Sequence, residues 1–210
     1  MAAARRPGSG AARRRRWPDL PRVLLDSRPP AASCSLRELH FDRVWIYKIP
    51  NWMGSFGNLQ GLKLMIFCVT PEDFEILRAM PSLVYLKLGT HGGTSGKIVV
   101  RGSNGFRSLK YFCLGINCCG TALEFEVRSM PKLEHIKLHF CVHKTDCLNG
   151  ASNFGILYLS SLSKVEVIIE SNCSYSSDYH WETDTDGGIV RDVASTINAP
   201  VETLPNHPTV

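Results

Sequence analysis

The chain has 210 residues, enough for one domain with a substantial core and tails. Its 44% hydrophobic and 20% charged residues are ordinary for a soluble globular protein, and no stretch nears the ~18–20 unbroken apolar residues that span a bilayer. The net charge of +5 is uneven: residues 1–33 hold eight Arg against Asp19 and Asp26, so the rest of the chain sums to −1 and the high pI is no sign of a nucleic-acid-binding domain.

In chain order, residues 1–33 come first, rich in Pro, Ala and Arg and poor in large apolar side chains. Such a segment cannot bury enough surface to fold, which predicts a disordered leader. It lacks the apolar core of a secretory signal. An inert leader, an organelle-targeting peptide and a basic arm for nucleic acid or nuclear import all fit its composition.

From Cys34 onward one apolar phrase, L-x-x-L-x-L, recurs six times. It reads Leu36-Leu39-Phe41, Leu59-Leu62-Leu64, Leu83-Leu86-Leu88, Leu109-Phe112-Leu114, Leu133-Ile136-Leu138 and Leu162-Val165-Val167. Successive phrases are 23, 24, 26, 24 and 29 residues apart. One match carries little weight, but six in register at this period are the signature of leucine-rich repeats. Each repeat supplies a short strand that cannot bury its apolar side alone, so neighbours stack into a continuous core. The expected fold is an α/β leucine-rich-repeat solenoid: a curved parallel sheet of about six repeats with an irregular convex side.

The connections are read between the phrases. Thr70-Pro71-Glu72-Asp73 followed by Phe74, Ile76 and Leu77 predicts a helix capped by Thr70 and ending near Ala79, before Pro81. The Gly-rich stretch 89–105 contains Ile98-Val99-Val100, a short extra strand, and Leu123-Phe125-Val127 alternates with glutamates as a half-buried extended segment. Residues 142–153 are a polar insertion. The domains expected are a leader at 1–33, a repeat domain at 34–170 and a terminal cap with tail at 171–210, including a short helix over 189–197.

Motifs with chemical meaning are few. Gly92-Gly93-Thr94-Ser95-Gly96-Lys97 imitates a phosphate loop but has His91 where the first Gly belongs and Ile98 in place of the magnesium-binding hydroxyl. His139, Cys141, His143 and Cys147 cluster without the second half that a zinc site needs. In addition, His139 points to the concave side while Cys141 points inward. The eight cysteines are scattered, without a C-x-x-C, which favours reduced thiols and a cytoplasmic protein. The Asn172-Cys173-Ser174 sequon matters only in a secreted chain. No nucleophile elbow and no paired carboxylates are present. Tyr175–Tyr179 with His180 and Trp181 form an aromatic patch suited to cap packing or to contact. No enzyme, cofactor or metal is expected.

Function is expected on the concave face. Numbering each phrase L1-x2-x3-L4-x5-L6-x7, side chains x3, x5 and x7 point outward. Column x3 reads Glu38, Gly61, Tyr85, Tyr111, His135, Lys164, and column x5 reads His40, Lys63, Lys87, Cys113, Lys137, Glu166. Column x7 reads Asp42, Met65, Gly89, Gly115, His139, Ile168. The middle repeats therefore present Lys63, Tyr85, Lys87, Tyr111, His135, Lys137 and His139 as candidate partner-binding residues. The alternative role of the lysines is to keep an exposed sheet soluble.

The phrases Pro50-Asn51-Trp52-Met53, Pro71-Glu72-Asp73-Phe74-Glu75-Ile76-Leu77, Met80-Pro81-Ser82-Leu83, Leu123-Glu124-Phe125-Glu126, Met130-Pro131-Lys132-Leu133, Leu159-Ser160-Ser161-Leu162 and Asn206-His207-Pro208-Thr209 carry a family resemblance. Over roughly residues 34–210 the chain resembles the last repeats of the plant coiled-coil/NB-ARC/leucine-rich-repeat disease-resistance proteins. The resemblance implies effector sensing or restraint of the NB-ARC switch, with an NB-ARC receptor or a pathogen effector as protein partner. The chain departs from that pattern in having no P-loop and no N-terminal coiled coil, so ATP hydrolysis and autonomous signalling are not implied. A truncated receptor is one reading, and a general repeat scaffold or adaptor in intracellular signalling without an immune role is the alternative. Neither a small-molecule substrate nor a membrane is expected, and nucleic acid would involve only the Arg-rich leader.

Overall fold

The structure is a computed structural model that describes residues 35–92, 94, 97–102, 105–116, 122–141, 155–170, 204, 206, 208 and 209. The strands are β1 (Glu38–Ile46), β2 (Gly61–Ile66), β3 (Tyr85–Thr90), β4 (Lys97–Val100), β5 (Tyr111–Ile116), β6 (Ala122–Phe125), β7 (His135–Cys141) and β8 (Lys164–Glu170). Six of them form one parallel sheet in the order β1-β2-β3-β5-β7-β8. The fold is the expected leucine-rich-repeat solenoid, each repeat adding one rung.

The apolar columns form the core. Leu62, Leu64, Leu86, Leu88, Phe112, Leu114, Ile136, Leu138 and Val165 are all sealed from solvent and belong to one continuous cluster. The strands begin two residues later than the phrases, at x3 rather than L1. The reason is local. The N–H of Leu59, Leu133 and Leu162 is spent on the carbonyl three residues back, closing a tight turn, so L1 cannot join the ladder. L1 is still buried: Leu59, Leu83, Leu109, Leu133 and Leu162 each expose 1% or less.

The turns before the strands are tied across repeats by side chains. Ser82 Oγ donates to the Gly57 carbonyl (2.6 Å), Ser108 Oγ to Pro81 (2.9 Å), Ser161 Oγ to Pro131 (2.7 Å) and Asn206 Nδ2 to Ser160 (2.5 Å). Each donor holds the position just before L1 of its repeat. The last of these belongs to a further rung. Thr209 N donates to Ser163 O (3.0 Å) and Val165 N to Thr209 O (2.8 Å), which sets Thr209 beside Lys164 in column x3, with Leu204 buried beneath.

On the convex side the described connections are of several kinds. A 3-10 turn covers Asn51–Ser55, the helix α1 spans Pro71–Arg78, and a second 3-10 turn covers Ile156–Tyr158. The cap of α1 is the expected Thr70, whose hydroxyl accepts from Asp73 N (3.2 Å). Asp73 does more than favour the helix dipole. It is fully buried and accepts from Ile49 N (2.8 Å), Thr70 N (2.9 Å) and Thr70 Oγ1 (2.8 Å), pinning α1 to the preceding repeat. The two extended segments foreseen around 98–100 and 123–127 pair with each other: β4 and β6 form a parallel two-stranded sheet, with Ile98, Val100, Leu123 and Phe125 inward. The alternation stops at Phe125, because Val127 lies beyond the strand and is 59% exposed. Gly155, at φ 68, lies where a Cβ would run into the Phe125 carbonyl, so only glycine fits.

The leader at 1–33, the insertion at 142–153, the helix expected over 189–197 and the patch Tyr175–Trp181 lie outside the described residues. No helix among the described residues is long and apolar enough to cross a membrane.

Candidate functional site

The parallel register places each concave column across the strands as a row. In column x3, Tyr85 pairs with Tyr111, Tyr111 with His135 and His135 with Lys164. Adjacent strands lie ~4.8 Å apart, close to the spacing of stacked rings, so identical positions in neighbouring repeats meet face to face. The Tyr85 and Tyr111 centroids are 4.6 Å apart at 7°, a stacked pair, and His135 meets Tyr111 edge-on at 4.8 Å and 85°. Each such contact contributes ~0.5–1.5 kcal/mol beyond burial. Partial burial raises the pKa of both phenols, most of all that of Tyr111, so they remain neutral hydrogen-bond donors at physiological pH.

Column x5 is charged except for one thiol. Lys63, Lys87, Cys113, Lys137 and Glu166 stand in register from β2 to β8. Cys113 is buried and a free thiol, and burial pushes its pKa up against the pull of Lys87. At the β8 end, Glu166 collects three neighbours. Lys137 Nζ donates to its Oε2 at 2.8 Å, His135 Nε2 lies 3.0 Å from its Oε1, and Lys164 pairs with the same oxygen. The lysine hydrogen bonds hold the Glu166 carboxyl at about 2. Burial keeps the His135 imidazole below its ordinary value despite Glu166, so the ring is neutral at pH 7.

Six of the seven residues singled out from the sequence, Lys63, Tyr85, Lys87, Tyr111, His135 and Lys137, come together on half-buried positions of this face. His139 shares the face by register but is only 2% exposed, so it supports the surface rather than presenting one. Cys141 is the last residue of the same strand, and His143 and Cys147 lie outside the described residues.

One group was missed. Between His40 and Trp45 the β1–β2 register slips, so that Phe41–Val44 oppose Leu64 alone and Trp45, not Asp42, stands beside Met65 in column x7. The slip carries Tyr47 past the end of β1 to meet Phe67, with centroids 4.4 Å apart at 16°. Trp45 packs on Phe67 at 5.4 Å and edge-on to His91 at 5.9 Å. Strict L-x-x-L-x-L counting cannot see a bulge. The Trp45-Tyr47 pair two residues apart, followed by Phe67 and His91 at repeat spacing, was the available signal.

A repeat solenoid whose outward columns carry stacked aromatics and lysines is a protein-interaction fold. Consistent with this, the model of the leucine-rich repeat region matches residues 19–210, and the chain belongs to that family. The match begins inside the stretch 1–33. Among curated proteins, the chain is 29% identical over 118 residues to disease resistance protein RGA5 of Oryza sativa subsp. japonica. That alignment covers 56% of this chain and 10% of the relative, so the chain corresponds to a small part of the relative's length. No solved structure matches the chain.

Proposed function

We propose that the chain is a non-enzymatic recognition module of disease-resistance type, acting in plant defence in the cytoplasm by sensing an effector or regulating an NB-ARC receptor. Membership of the leucine-rich repeat region family supports protein recognition, and the relative's name supports the defence setting. The observation that carries the reading is the central concave face. Strands β2, β3, β5 and β7 contain no Asp or Glu, while they present Lys63 and Lys87, with Lys137 paired to Glu166 of β8, around the Tyr85-Tyr111-His135 row. Such a surface suits an acidic protein partner: the rings supply contact area, and the lysines supply steering that salt weakens.

The test is co-precipitation of the full chain with NB-ARC receptors and with pathogen effectors in plant cells. Tyr85→Ala with Tyr111→Ala should abolish capture while lowering the urea midpoint only modestly, by the loss of the stacked pair, so that the chain stays folded. Capture unaffected by the double change overturns the concave-face assignment. Partners drawn only from other signalling pathways overturn the immune role and leave a general scaffold.

A further inference from the structure

The ring cluster at the far end of β1–β3 lies apart from the Tyr85-Tyr111-His135 row and has its own geometry. Column x7 runs Trp45, Met65, Gly89, Gly115, so two side-chain-free positions follow a methionine. Met65 is not upright. Its thioether lies over Gly89 so closely that a Cβ there would fall 2.6 Å from Sδ and 2.8 Å from Cε. Gly89 thus leaves a notch in the column that the Met65 thioether fills, beside a cluster of the Trp45, Phe67 and His91 rings. Tyr47, stacked on Phe67, extends the cluster outward with 72% of its surface in solvent. Methionine is the apolar side chain best able to swing aside and repack on an incoming group.

The surrounding charge selects the partner. Lys63 and Lys87 precede Met65 and Gly89 by two residues, about 6.6 Å along the strands, and Lys48 follows Tyr47 on the exposed surface. A cationic ligand, which four aromatic rings would otherwise favour, meets three lysines here. We propose that this notch anchors one aromatic side chain of an acidic protein segment, with Met65 displaced from Gly89 and the flanking carboxylates facing Lys63 and Lys87. The proposal rests on the concave-face reading above and adds to it a second subsite, Trp45-Tyr47-Met65-Phe67-Gly89-His91, and the chemistry of the residue it takes.

Selection of a random short-peptide library on the immobilised full chain tests it. The expected winners are net acidic and carry at least one Trp, Phe or Tyr. Affinity of the best peptide should fall roughly tenfold in Tyr47→Ala and in Gly89→Ala, where the new methyl and the displaced Met65 occupy the notch. It should fall further, and lose its salt dependence, in the Lys63→Glu, Lys87→Glu pair. Tyr47 is exposed, so Tyr47→Ala keeps the test valid even if Gly89→Ala lowers the urea midpoint. Winners that depend on Tyr85 and Tyr111 but ignore Tyr47→Ala and Gly89→Ala overturn the notch while sparing the face. Winners indifferent to all four overturn both, as do basic or charge-blind winners. A selection that enriches nothing overturns the notch as well.

Discussion

The concave and convex sides of this solenoid are built from the same repeats under different constraints. On the concave side, β2, β3, β5, β7 and β8 pair residue for residue without a slip. On the convex side, a 3-10 turn, an α-helix and a pair of short strands take turns in the same role. The difference lies in where the backbone hydrogen bonds go. Concave N–H and C=O groups are satisfied only by the neighbouring repeat, so every rung must share one conformation and one register. A convex connection can satisfy its own backbone locally, as α1 and the 3-10 turns do, and need only bury a few side chains. Uniformity is therefore demanded of one face and merely permitted on the other.

The largest effect that would break this comparison comes from the inward column. Leu86→Asp should abolish folding, because Leu86 is fully buried and an unpaired carboxylate in a dry core costs several kcal/mol against the ~5–15 kcal/mol that holds a domain together. Leu114→Asp should do the same, since Leu114 is 1% exposed. Lys87→Ala, one residue from Leu86 on the outward column, should change stability by no more than ~0.5 kcal/mol. Equal urea midpoints for Leu86→Asp, Lys87→Ala and the parent would refute the inward and outward assignments.

The convex side is not free of constraint, and Asp73 shows where its stability is concentrated. Asp73→Ala removes the acceptor for Ile49 N, Thr70 N and Thr70 Oγ1 at once and should cost about 2–3 kcal/mol. Asp73→Asn keeps the shape and one acceptor oxygen and should cost less. The urea midpoint checks both. A loss below ~0.5 kcal/mol for the alanine variant would mean that the tie between α1 and the preceding repeat is dispensable.

This contrast also explains what the sequence makes legible. The concave columns are readable because burial on one side of a strand forces a period of two, and stacking forces a repeat of near-constant length; Tyr85, Tyr111 and His135 meet for that reason. The helix is readable because Thr70, Pro71 and Asp73 are local signals for a local structure. The pairing of β4 with β6 is not, because two short extended runs carry no mark of the partner they choose. Nor is the aromatic notch, which depends on the β1 slip that replaces Asp42 by Trp45 beside Met65. The burial of His139 escapes the alternation rule for a related reason: register sets the side a residue faces, not what covers it there.

A smaller effect sharpens the concave account. If Tyr85 and Tyr111 are stacked in the free protein, their contributions are not additive. A double-mutant cycle on urea stability, with each Tyr changed to Ala, should return a coupling of ~0.5–1.5 kcal/mol. Zero coupling would show that the stack adds nothing to the stability of the free protein.

The smallest effect belongs to Glu166 and is visible only in acid. Its carboxyl titrates at about 2 in the folded chain, below its ordinary 4.5, chiefly because Lys137 and Lys164 donate to it. A depressed carboxylate stabilises the fold above its unfolded pKa and withdraws that support as pH falls through the folded value. The Glu166 contribution should therefore be complete above pH 4.5 and disappear on the way down to about 2. The side chain is 26% exposed, so solvent screening holds the effect to about 1 kcal/mol or less, well under the full linkage of such a shift. His135 adds a separate change at higher pH. Its lowered pKa means that protonation opposes folding once pH drops below about 6.5, and Glu166, which pulls that pKa upward against burial, eases the loss. The difference in stability between the parent and Glu166→Gln reports the carboxylate together with its hold on His135. Measured by urea unfolding, it should shrink steadily from pH 4.5 downward and be smaller throughout in high salt. A difference that stays constant across that window would mean that Lys137 and Lys164 do not hold Glu166 in the free protein, leaving both lysines uncommitted for a partner.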